Sequence, residues 1–128
     1  MQPNKKILVG IATNGVGGVD SYIASFVRVA AGEGIKCDVL TTKYDASFAA
    51  KLGEFGAKLV PIANLHDKPA IRQTFHNLCH LDAGNVPYIG AYMNISTDVM
   101  YPYVKECAQA KIPNIVVHGH AHYNSQPT

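Results

Sequence analysis

Residues Lys5 to Asp20, Lys-Lys-Ile-Leu-Val-Gly-Ile-Ala-Thr-Asn-Gly-Val-Gly-Gly-Val-Asp, constrain the fold more than any other stretch of the chain. The run Ile7 to Ala12 is apolar and rich in branched side chains, the pattern of a strand buried on both faces. It breaks at Asn14-Gly15 and again at Gly17-Gly18. Val19, Ile23, Phe26 and Ala30 then follow at helical spacing. The order is therefore strand, glycine loop, helix. Such a loop turns tightly and exposes backbone N–H groups at the positive end of the helix dipole, where a phosphate or other anion is stabilised.

The loop matches neither common phosphate template. No Gly-Lys-Ser/Thr follows, so the nucleoside triphosphate loop is excluded. Gly15-Val16-Gly17 opens like a dinucleotide loop, but the third glycine of that template falls on Asp20. A carboxylate there suits the first turn of a helix and opposes a pyrophosphate lying close. A plain strand-to-helix turn that needs small residues explains the same glycines.

The rest of the chain repeats the alternation. A helix is predicted over Val19 to Ala31, a strand over Cys37 to Thr42, and a short helix capped by Asp45 that carries Phe48, Leu52 and Phe55 and ends at Gly56. Lys58 to Ile62 is a third strand, and Pro61 assigns it to a sheet edge because proline cannot donate to the ladder. Pro69 opens a helix with Ile71, Phe75, Leu78 and Cys79 on one side. Val86 to Met93 is a fourth strand. Asp98 is the favoured cap of a helix carrying Val99, Tyr103, Cys107 and Ala110, and Pro113 to His118 is a fifth strand. Strand–helix alternation implies parallel pairing through right-handed crossovers. The expected fold is a three-layer α/β Rossmann-like domain with about five parallel strands in the order 3-2-1-4-5.

With 128 residues, one domain is expected. Charged residues make up 16% of the chain, against about 25% in a typical domain, so part of the surface is expected to be covered by a partner or a further domain. A net charge of +2 without a basic cluster excludes a nucleic-acid footprint. Cys37, Cys79 and Cys107 are far apart and read as reduced thiols. There is no secretory h-region and no run of spanning length, which places the chain in the cytoplasm.

Candidate ligand-facing residues fall at strand ends, where open α/β sheets bind their ligands. These are the loop glycines Gly15, Gly17 and Gly18, Asn94 just past the fourth strand, and His118 at the end of the fifth. His118, His120 and His122 alternate and so share one face of an extended segment. No carboxylate or cysteine lies near them in sequence, so a polar cluster facing a ligand is favoured over a metal site. His76 and His80 lie four apart on the third helix and read as surface residues, and His66 has no evident partner. Tyr88, Tyr92, Tyr101 and Tyr103 read as core and rim.

Gly17-Gly18-Val19-Asp20 after an N-terminal strand resembles the Gly-Gly-Val-Glu signature of bacterial GT-B glycosyltransferases, family 4 in particular. Gly56-Ala57-Lys58-Leu59-Val60-Pro61-Ile62 resembles that family's third strand. Pro113-Asn114-Ile115-Val116-Val117-His118-Gly119-His120-Ala121-His122 resembles its Arg-Ile-Ala-His-Ser-His-Asn segment. The chain departs from the pattern at Asp20, where the family has Glu, and at Ala91-Tyr92-Met93-Asn94, which keeps only the Asn of His-Val-His-Asn.

The resemblance implies the acceptor-side half of a GT-B enzyme of exopolysaccharide or lipid-linked sugar assembly. Such an enzyme moves a sugar from a nucleotide-sugar co-substrate to a hydroxyl acceptor, with no other cofactor and no metal. His120 would be catalytic, and Gly17 and Gly18 would approach the donor. The 128-residue chain would then be a fragment, inactive alone, whose partner is a missing C-terminal domain or donor subunit, with peripheral association at the inner membrane face. Two other readings stay open: a stand-alone Rossmann-like module that holds a nucleotide or phosphorylated ligand at Gly15 to Gly18, and a subunit that pairs with a separate donor-binding chain.

Overall fold

The computed structural model describes residues 5–13, 18–62, 67–79, 86–95 and 100–119. Nine elements alternate strictly: β1 (Lys5–Ala12), α1 (Gly18–Gly32), β2 (Ile35–Thr41), α2 (Ala46–Gly53), β3 (Lys58–Pro61), α3 (Lys68–Leu78), β4 (Tyr88–Ile95), α4 (Tyr101–Gln109) and β5 (Ile115–Gly119). The strands form one parallel sheet in the order β3-β2-β1-β4-β5. This is the order expected from the sequence, and β3 with its Pro61 lies at the edge.

The sheet separates two cores. Val9, Ala12, Val39 and Leu59 face Ile23 and Val27 of α1 and Phe48 and Leu52 of α2. Leu8, Ile11, Leu40, Ala91 and Met93 face Ile71 and Phe75 of α3 and Tyr103 and Cys107 of α4. Successive side chains of a strand point to opposite faces, which explains how β1 feeds Leu8 to one core and Val9 to the other. The first two crossovers run toward β3 and the next two toward β5. Right-handed connections therefore place α1 and α2 on one face and α3 and α4 on the other. The order reverses between β1 and β4, so the switch point of the sheet lies there.

Local signals set most boundaries. Asp45 Oδ2 accepts from the Phe48 N–H at 2.8 Å and caps α2. Gly34 (φ 77°) and Gly56 (φ 73°) take the left-handed turn that lets the chain leave α1 and α2. α3 is capped by Asp67, whose Oδ1 accepts from the Ala70 N–H at 3.1 Å. α4 runs from Tyr101, with Met100 before it making no side-chain cap and Pro102 in the first turn. Asp98 and Val99 lie outside the described residues. No helix among the described residues is long and apolar enough to cross a membrane.

Candidate functional site

The carboxyl edge of the sheet gathers four elements around the switch point. β1 ends at Ala12, and α1 begins at Gly18 directly beyond it. Asp20, 1% exposed, turns its carboxylate back toward β1. Its Oδ1 accepts from the Thr13 N–H at 2.9 Å and its Oδ2 from the Thr13 hydroxyl at 3.2 Å. The negative charge at the helix start is thus already engaged by donors of its own chain, and it ties the exit of β1 to the first turn of α1. A Cβ added at Gly18 would meet no heavy atom of the described residues within 4 Å.

Asn94 and Thr41 hold the strand ends on either side. Asn94 is buried in β4, and its Nδ2 donates to the Gly10 carbonyl of β1 at 2.7 Å, bridging the two strands that flank the switch point. The Thr41 hydroxyl at the end of β2 lies 2.8 Å from the Lys43 carbonyl and 3.2 Å from those of Ala12 and Thr13. Its position pins the β2 exit against the β1 exit.

His118, half-buried near the end of β5, belongs to an aromatic cluster on the α1 face. Its Nδ1 lies 3.0 Å from the Tyr92 hydroxyl, and its ring meets Tyr22 of α1 edge to face at 5.3 Å between centroids. Tyr92 also packs on Phe26 at 4.6 Å. Burial, then the hydrogen bond and charge of Tyr22, push the Tyr92 phenol up to about 12, so it is protonated at neutral pH.

Of the residues singled out in the sequence, Gly18, Asn94 and His118 stand at this edge. Gly15, Gly17, His120 and His122 lie outside the described residues, as do His66 and His80. His76 is exposed on α3. Thr13, Asp20, Thr41 and Tyr22 also shape this edge, though the sequence does not mark them as site residues. Only Asp20 left a signal, an acid in the first turn of a helix that follows a glycine loop. A cavity of about 480 Å³ lies elsewhere, between α3 and α4, and includes Lys68, Arg72, Tyr101 and Lys105. It has no part in the edge just described.

The fold and the edge define a Rossmann-like α/β domain. No protein-family model matches the chain, and no curated protein matches it. Solved structures do. The crystal structure of Cj0485 dehydrogenase is similar with a TM-score of 0.60 and 16% identity, over 85% of this chain and 47% of that one. A short-chain type dehydrogenase/reductase from Mycobacterium marinum is similar with a TM-score of 0.62 and 15% identity, over 91% of this chain and 56% of that one. The chain thus spans about half the length of these two structures.

These likenesses correct the family expectation. The similar folds belong to dehydrogenases and not to GT-B glycosyltransferases. The sugar-transfer activity and the exopolysaccharide setting, which rested on that family, fall with it; His120, the residue that family would make catalytic, lies outside the described residues. The motifs misled for a physical reason: a strand, a glycine turn and a helix recur wherever a parallel sheet opens a ligand edge, whatever chemistry follows. The expectation of no cofactor beyond a nucleotide sugar is overturned on the same ground. A third structure, an NADH-dependent reductase complexed with NAD, shares the outline at a TM-score of 0.48 and 13% identity.

Proposed function

We propose that this chain is a Rossmann-like module that binds a nucleotide cofactor, a dinucleotide such as NAD, at the carboxyl edge between β1 and β4. The observation that carries the reading is the coincidence of the switch point with the start of α1 at Gly18. A helix N-terminus favours a phosphate there, and the switch point opens the crevice that receives it. Asp20 does not compete for that role, because its carboxylate is buried on Thr13. The similarity to two dehydrogenase structures supports a cofactor of this class.

Calorimetric titration of the 128-residue chain with NAD, UDP and a UDP-sugar tests the proposal. Saturable binding of the dinucleotide at micromolar concentration, with UDP weaker, is expected. UDP or UDP-sugar binding tighter than NAD, or no binding of any of them, contradicts it.

A further inference from the structure

The opposite, amino edge of the sheet carries a second polar site. β1, β2 and β3 are neighbours, and each bears a lysine at or near its start: Lys6, Lys36 and Lys58. The register sets Lys6 beside Lys36 and Asp38 beside Lys58. All three lysines reach the α3 face of the sheet, where they line a cavity of about 360 Å³ together with Asp38, Thr74 and Asn77. That volume lies within the range of small-ligand pockets.

Asp38 sits at the floor of this cavity and is 3% exposed. Its Oδ2 is well served: the Tyr88 hydroxyl donates to it at 2.7 Å, and the Lys6 ammonium lies 3.3 Å away. Its Oδ1 accepts no hydrogen bond among the described residues, and the Lys36 ammonium stands 3.9 Å off. A buried carboxylate oxygen without a donor is costly and selects for a group that supplies one. The cavity also holds three ammonium groups against one carboxylate, an excess of positive charge that selects for an anion. One occupant meets both demands if it carries an anionic group and a hydroxyl together.

We propose that this cavity binds a small phosphate monoester bearing a free hydroxyl, with its phosphoryl oxygens on Lys36 and Lys58 and its hydroxyl donating to Asp38 Oδ1. Lysine suits this role as a flexible point charge, and it adapts to a phosphoryl group without the fixed fork of arginine. The site lies at the end of the sheet opposite the proposed nucleotide edge and stands independently of it.

The probe is sn-glycerol 3-phosphate, titrated into the ¹⁵N-labelled chain and followed by amide shifts. Saturable shifts at Lys36, Asp38, Lys58 and Asn77 are expected, with a Kd of about 1 mM or tighter. Lys58 is exposed, so Lys58→Met leaves the fold intact. It should weaken the probe by about tenfold through loss of one charged contact. Methyl phosphate, which lacks the hydroxyl, should bind several-fold more weakly than sn-glycerol 3-phosphate. Lys51→Met on α2, away from the cavity, should change nothing. The proposal is overturned by the absence of saturable shifts, by shifts centred elsewhere, by unchanged affinity in Lys58→Met, or by equal binding of methyl phosphate.

Discussion

The rings of Tyr22 and His118 meet edge to face with centroids 5.3 Å apart and an interplanar angle of 72°. One comes from the opening turns of α1 and the other from the end of β5, so the contact spans β4 and ties both sides of the switch point together. Tyr92 lies beneath it, and its hydroxyl joins His118. The carboxyl edge is thereby braced from the α1 face, and its shape does not rest on the backbone alone.

Tyr92→Phe tests that brace. The substitution keeps the ring on Phe26 and removes only the hydroxyl. Stability should fall by about 1 kcal/mol, the net worth of a side-chain hydrogen bond. A shift in the urea midpoint at unchanged slope would register it.

Gly18→Ala separates ligand approach from folding. A Cβ at this position meets no heavy atom of the described residues within 4 Å, so thermal stability should be unchanged or slightly raised, since alanine restricts the unfolded chain. Dinucleotide affinity should nevertheless fall about tenfold if phosphate oxygens sit against this backbone, equivalent to roughly 1.4 kcal/mol. Calorimetry of the variant beside the parent chain reads both effects, and equal affinity would remove Gly18 from the site.

Asn94→Ala should be costly for the fold. The Gly10 carbonyl it serves is deep in the sheet and would lose its 2.7 Å donor. An unsatisfied buried carbonyl costs roughly 1–3 kcal/mol, and chemical denaturation should show a loss of that size.

Alkaline pH should destabilise the protein through its buried thiols. Burial first, then the charge of Asp38, pushes the Cys37 thiol up to about 12. Burial, with lesser contributions from Cys79 and Glu106, does the same for Cys107. Unfolded, each thiol ionises near 9.0. Between these values the folded state holds protons that the unfolded state has released, so stability falls as pH rises from 9 toward 12. The slope is roughly 1 kcal/mol per pH unit for each thiol. The double variant Cys37→Ala/Cys107→Ala should start less stable at pH 7 but lose less between pH 9 and 10.5, since the loss that the buried tyrosines add from about pH 10 is common to both proteins.

Much of the architecture could be read directly from residue order. Apolar runs such as Ile7 to Ala12, broken by glycines and followed by helical spacing, define a parallel α/β layer, and Pro61 correctly marks the sheet edge. Asp45 announces its own helix. The start of α4 is less legible, because Asp98 has capping chemistry but lies outside the described residues, and Met100 directly before Tyr101 makes no side-chain cap. The site was less legible. Tyr22 with His118, and Lys6 with Asp38 and Tyr88, are long-range contacts that only the folded sheet brings together, and Thr13 with Asp20 meets only across the turn between β1 and α1. The family resemblance failed because its short motifs record what a ligand edge needs sterically, and that need is shared by folds with different chemistry.

The account depends most on where a dinucleotide binds. An amide-shift titration of the ¹⁵N-labelled chain with NAD answers that directly. It should perturb Ala12, Thr13, Gly18 and Asn94 together and saturably, while the groove between α3 and α4 stays silent. Shifts confined to Arg72, Tyr101 and Lys105, or no saturable shifts at all, would contradict a nucleotide site at the switch point.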